Sequence, residues 1–150
     1  MPFITEPAPA KINLTLRVLG RRADGFHQIE SLVAFASVGD IVTLDTDGTP
    51  GVEATGRFAA AIEGANLAEV ALRRLAEEEP RLRLGRVKLE KRLPVASGIG
   101  GGSADAAAVL RAVRHANPAL VSSVAWSGIA AGLGADVPVC LACEPAMMRG

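Results

Sequence analysis

Apolar and polar residues alternate over residues 12–18, with Ile12, Leu14, Leu16 and Val18 set against Asn13, Thr15 and Arg17. A period of two predicts a half-buried strand. An Asp-Gly pair among charged neighbours makes residues 20–25 a turn. Strands are expected over 29–36 and 40–45, joined by a Val-Gly-Asp turn, with a loop over 48–56. The period then changes. Across residues 66–79, Leu67, Ala71 and Leu75 share a face with Ala68, Leu72 and Ala76, while Glu69 and Arg73 pair at i,i+4 elsewhere. This is a helix, and Pro80 ends it. Residues 86–93 read as a strand, 103–115 as a helix of small residues, and 121–131 as a short helix stopped by Gly132 and Gly134. The apolar run 137–141 reads as a last strand. Strands come first and then interleave with helices, so the expected class is α+β.

Composition narrows the function. The chain has 150 residues, one domain by length, and at 49% hydrophobic and 21% charged it can bury a core. Sixteen basic residues balance sixteen acidic ones, and aromatics make up 3%. Nothing there suggests a nucleic-acid partner. No long apolar run and no basic-then-apolar leader appears, so no membrane partner and a cytoplasmic location are expected. Cys140 and Cys143 are spaced C-x-x-C. Zinc needs further ligands, and His27 and His115 lie far away without ligand spacing. The pair reads as two small buried apolar residues at a strand end.

The segment Pro94, Val95, Ala96, Ser97, Gly98, Ile99, Gly100, Gly101, Gly102, Ser103, Ala104 lies between an expected strand and an expected helix. Its glycines leave backbone N–H groups unobstructed, and the helix start adds a positive dipole end, so an anion such as a nucleotide phosphate suits it. No lysine follows as in a Walker loop, and Ser103 stands where a dinucleotide fingerprint needs its third glycine. A glycine-rich turn without ligand is the plain alternative.

Three more segments carry chemistry. Lys11 enters the first strand with Asn13 two residues on, hence on the same face, and a lysine can stabilise developing negative charge. A solvated surface lysine is the alternative. Asp136 sits in a glycine-rich turn before an apolar run, where catalytic groups are often held, though an ordinary turn aspartate fits as well. Phe26 and His27 follow a tight turn and can stack on and hydrogen-bond a heterocycle, or serve as a core Phe beside a surface His.

The proline-led glycine loop resembles the phosphate loop of the GHMP kinases. The order P-A-K-I-N-L, G-R-R-A-D-G-F-H, A-N-L, K-R-L-P-V-A-S-G-I-G-G-G-S and G-A-D-V-P further resembles the branch that phosphorylates a cytidine-diphosphate-linked methylerythritol on the non-mevalonate route to isoprenoids. The resemblance spans residues 9–138. It implies the N-terminal domain of such a kinase, a ribosomal-protein-like βαβ two-layer sandwich that binds ATP with Mg²⁺. It further implies ATP phosphates over 94–104, Asn66 on the adenine side and Lys91 near the nucleotide. Asp136 would act on the 2-position hydroxyl and Lys11 on that oxygen and the transferring phosphoryl group. Phe26 and His27 would hold the cytosine of the small-molecule substrate, and Asn13 its methylerythritol part. A helix N-cap explains Asn66 equally well. Phe26 stands where the family often has tyrosine, Ser97 and Ala104 where glycine and serine are frequent, and Cys143-Glu144 where Gly-Gly is usual. These kinases are nearly twice this length, so the expectation is an N-terminal portion lacking the C-terminal domain and poorly active alone. Another GHMP small-alcohol kinase and a non-catalytic nucleotide-binding domain are the alternatives.

Overall fold

A computed structural model describes residues 2–25, 27–59, 66–94 and 101–149. Along the chain lie β1 (Phe3–Asn13), β2 (Arg17–Arg21), β3 (His27–Asp45), β4 (Gly51–Thr55), α1 (Leu67–Glu78), β5 (Arg86–Glu90) and α2 (Gly101–Ala116). A 3₁₀ turn (Pro118–Ser123), α3 (Trp126–Leu133), α4 (Val137–Ala142) and β6 (Ala146–Arg149) follow. The α+β class holds, but several elements differ from those expected.

The 19-residue β3 organises the sheet. On one side it pairs antiparallel with β1 (Ile4↔Leu44, Asn13↔Val33) and then with β2 (Arg17↔Glu30). On the other it pairs with β5 (Val42↔Leu89) and then β6 (Ser31↔Met148). The expected break at Val38-Gly39-Asp40 is an irregularity in the pairing opposite Pro9–Lys11, and the strand continues through it. The backbones come very close there, since a Cβ on Gly39 would overlap the Ala8 carbonyl oxygen. Only glycine allows that approach.

Residues 12–18 do not form one strand. They are the end of β1, a crossing at 14–16, and the start of β2. Most of β1 lies before them, around Pro7 and Pro9, which the strand tolerates because, among the described residues, β3 is its only strand partner. The loop expected at 48–56 contains β4, parallel to β5. The helix expected at 121–131 is a 3₁₀ turn followed by α3, linked by Trp126 Nε1 donating to the Val121 carbonyl at 2.9 Å.

The last expected strand is the helix α4. A short apolar run cannot separate buried strand from buried helix. Here Pro138 lies in the first turn, and Val137 and Cys140, three apart, are the buried pair. Cys140 is thus a core residue of a helix rather than of a strand end, and Cys143 is the left-handed cap at φ 53°. Both are free, and burial, then nearby Asp136, pushes the Cys140 thiol up to about 11.

The core lies between sheet and helices. Val42 and Leu44 of β3, Val87 and Leu89 of β5, and Leu75 of α1 are fully buried with Ala106–Leu110 of α2. The alanines of α2 let its backbone lie close to β1 and β3. Arg111 fastens this helix. Its guanidinium donates to the carbonyls of Pro7 and Cys140, each at 2.8 Å, and to Glu6 at 3.2 Å, joining β1, α2 and α4. Among the described residues no helix is long and apolar enough to cross a membrane.

Candidate functional site

Where β1 leaves the sheet, a cleft of about 460 Å³ opens, lined among others by Lys11, Asn13, Ser31, Arg22, Asp136 and Arg149. Strand geometry puts Lys11 and Asn13 on one face, as the sequence implied, and Lys11 Nζ donates to Asn13 Oδ1 at 3.1 Å. The turn before α4 carries Asp136 from more than a hundred residues away to 3.8 Å from Lys11 Nζ. The Lys11 side chain is only 4% exposed, whereas Asp136 is 40% exposed. A confined ammonium therefore faces a carboxylate that solvent, or a ligand in the cleft, can reach. Asp136 makes no cap hydrogen bond to its own helix, which leaves its oxygens available.

Ser31 carried no sequence signal, yet it orders this corner. Its hydroxyl lies 2.7 Å from the Thr15 carbonyl and 3.3 Å from Asn13 Oδ1. Arg149 pairs with Glu30 at 3.0 Å and Arg22 with Asp24 at 3.0 Å, so two guanidinium groups stand at the cleft without being unpaired. His27 opens β3 and shares the strand face of Ile29 and Ser31, both cleft residues. Phe26 lies outside the described residues.

The glycine segment is described in part. Val95, Ala96, Ser97, Gly98, Ile99 and Gly100 lie outside the described residues. Gly101 and Gly102 begin α2, two residues earlier than expected, and Ser103 and Ala104 complete its first turn, with Ala104 buried. The N-terminus of α1 lies alongside: a Cβ on Gly102 would stand 3.7 Å from Leu67 Cδ1. Next to Leu67, Asn66 caps α1, its Oδ1 accepting from the Ala68 N–H at 2.9 Å. That is the structural reading of Asn66.

Lys91 is close to the start of α2, 3.6 Å from where a Gly101 Cβ would be, but its ammonium is occupied. It donates to Asp40 Oδ2 and to Asp105 Oδ2, both at 2.7 Å. Neither acid was singled out from the sequence. The available signal was an acid placed among apolar and small residues, Gly39-Asp-Ile and Ala104-Asp-Ala. Among the described residues no cluster of three or more His, Cys, Asp or Glu could hold a metal ion.

The chain matches the GHMP kinases N-terminal domain family over residues 66–144. It is 51% identical to the 4-diphosphocytidyl-2-C-methyl-D-erythritol kinase of Xanthobacter autotrophicus over 100% of this chain and 52% of that protein. It is 53% identical to the protein of the same name from Parvibaculum lavamentivorans, over 98% of this chain and 51% of that one. A crystal structure of 4-(cytidine 5'-diphospho)-2C-methyl-D-erythritol kinase superposes with a TM-score of 0.82 at 38% identity, covering 98% of this chain and 52% of its own. Homoserine kinase from Cytophaga hutchinsonii, at 21% identity and a TM-score of 0.55, shares the fold. The chain spans about half the length of the curated relatives it matches.

Proposed function

This chain belongs to the GHMP kinases, and from that premise we propose that it is the N-terminal part of an ATP-dependent kinase. The proposed acceptor is the 2-position hydroxyl of 4-diphosphocytidyl-2-C-methyl-D-erythritol. The observation that carries the reading is the pairing of a buried Lys11 with an accessible Asp136, 3.8 Å apart, in one cleft. The relatives' names supply the acceptor.

Phosphoryl transfer asks for positioning and charge neutralisation more than for covalent help from the protein. Asp136 accepts the hydrogen bond of the acceptor hydroxyl and draws its proton away as the new O–P bond forms. Lys11, held by Asn13, places its charge against that oxygen and the phosphoryl group. The backbone of residues 94–104, backed by the α2 dipole, takes the phosphates. His27 reads the cytosine with Phe26, and Asn13 positions the methylerythritol part. ATP would supply the phosphoryl group, its bond from the bridging oxygen to the γ-phosphorus breaking to release ADP as the new bond forms. Mg²⁺ would screen the phosphate charge, held mainly by the nucleotide rather than by the described side chains of this chain.

Ligand-observed NMR with cytidine diphosphate against uridine diphosphate tests the acceptor. Cytidine-selective contact that disappears in His27→Ala supports the reading. Equal contact with both nucleotides, or selectivity that survives the substitution, refutes the assigned base site.

A further inference from the structure

Three titratable side chains that this reaction does not touch meet in the dry interior beneath Gly101. Lys91, Asp40 and Asp105 have side chains 4%, 0% and 2% exposed. They come from three different elements: Asp40 from the irregular point of β3, Lys91 from just past β5, and Asp105 from the N-terminal part of α2. Asp40 Oδ1 also accepts the N–H groups of Arg92 at 2.6 Å and Leu93 at 2.8 Å, the residues that lead into Pro94. The cluster therefore grips the chain on both sides of the glycine segment.

Its charges do not balance if both acids are ionised, because one ammonium faces two carboxylates. Asp105 Oδ1 is moreover buried with no hydrogen-bond partner. Burial, reinforced by the hydrogen bond to Asp40, pushes Asp105 up to about 8 against the pull of Lys91. Burial also opposes the charges on Asp40 and Lys91. Hydrogen bonds from Asp105, Lys91 and Leu93 nonetheless hold Asp40 below the usual carboxylate range, and those to Asp105 and Asp40 push Lys91 up. At neutral pH the cluster is an ion pair plus one neutral acid. Charged groups on the adjoining elements are paired outside the cluster: Arg92 with Glu90, Glu6 of β1 with Arg111 of α2 and His115, and Lys11 of β1 with Asn13 and Asp136.

We propose that Asp105 is a positioning residue of the phosphate site. As the neutral acid it joins the start of α2 to residues 91–93 through Lys91 and Asp40. Its ionisation places an uncompensated negative charge beneath that helix start and weakens phosphate binding. The inference rests on reading the glycine segment as a phosphate site. A charge at that depth acts across little solvent, in competition with the N–H groups and dipole that attract the anion.

The test is metal-free ADP titrated into the wild-type protein and Asp105→Asn between about pH 7 and about pH 9, either side of the value near 8. Asparagine keeps the shape and donor capacity of the neutral acid. For a roughly five- to tenfold coupling, a usual size between sites, wild-type affinity is expected to fall roughly three- to fivefold across that range, while the variant stays flat. A flat wild type, or a variant that falls in parallel, overturns the proposal. Carboxyl ¹³C NMR of wild-type Asp105 provides a second readout that needs no variant. A midpoint near 8 that ADP raises by the same factor is expected, by linkage, and a midpoint in the ordinary carboxylate range overturns the proposal. If neither protein binds ADP at any of these pH values, the phosphate-site reading falls and this inference with it.

Discussion

Replacing Lys91 by methionine keeps most of the aliphatic stem and removes the one cation between two buried acids. Each of its two 2.7 Å contacts is a charge-assisted hydrogen bond, worth roughly 1.5–3 kcal/mol. Methionine no longer has to desolvate an ammonium, which offsets part of that. Asp105 also limits the loss, because it already carries a proton at neutral pH. Asp40 remains ionised in the sheet, held by the Arg92 and Leu93 N–H groups and by neutral Asp105 but without its counter-charge. Removing one partner of a buried pair costs about 3–5 kcal/mol, and the lower part of that range, about 3 kcal/mol, applies here. Domains are stable by roughly 5–15 kcal/mol, so the loss is large. Urea unfolding followed by fluorescence of the single tryptophan, Trp126, reads it directly. The deficit should narrow as pH falls through the carboxylate range, since Asp40, lowered in the fold, contributes stability that is present above its unfolded pKa and lost on acidification. Adding Asp40→Asn to Lys91→Met should recover part of the loss. A Lys91→Met protein within about 1 kcal/mol of wild type at neutral pH, or a double variant less stable than the single, refutes the reasoning.

Other substitutions separate chemistry from scaffold. If the proposed kinase reading holds, Asp136→Asn in the full-length enzyme should lower phosphoryl transfer about a hundredfold or more. It should leave urea stability within about 1 kcal/mol, because its ion pair with Lys11 is solvent-accessible on the acid's side; a stability loss with intact turnover reverses the assignment. Arg111→Leu leaves Glu6 and two carbonyls without their buried donor and should cost about 3–5 kcal/mol by urea unfolding, with turnover following only the folded fraction. Asn66→Ala removes the α1 cap and should cost about 1 kcal/mol; a loss of nucleotide affinity without that destabilisation gives Asn66 the adenine role instead. Hydrogen bonds from Arg81 hold Glu79 at about 2. Its stabilisation is therefore present above the ordinary carboxylate value and lost as pH falls towards 2, and Glu79→Gln should flatten that acid limb in a pH series of melting temperatures.

Residues of the cleft were legible where a side chain's type and spacing reflect its chemistry. Lys11 and Asn13 follow from a two-residue period, and Asp136 from a glycine-rich turn. Ser31 was invisible because a serine in a strand carries no distinguishing neighbour, and only the crossing at 14–16 makes its hydroxyl useful. Asp40 and Asp105 were missed for a different reason. Their partner Lys91 is 51 residues from one and 14 from the other, and no local pattern encodes such a meeting. In the fold, helix α1 was read from its period, since packing agreed with local preference. Strand β1 was hidden by two prolines that only an edge position tolerates. Helix α4 was misread because five apolar residues in a row carry no period at all.

The length of β3 has a bearing on how this family can change over time. Ser31 at one end faces the cleft corner, and Asp40, nine positions on, sits beneath the start of α2. Both are fixed to one continuous strand that pairs with β1, β2, β5 and β6. A single-residue insertion or deletion between them would turn one end of the strand over, moving a polar anchor from one face to the other. Gain and loss of residues should therefore concentrate in the connections around this strand. The interval from Ser31 to Asp40 should instead keep a constant count, drifting in side-chain identity but not in length.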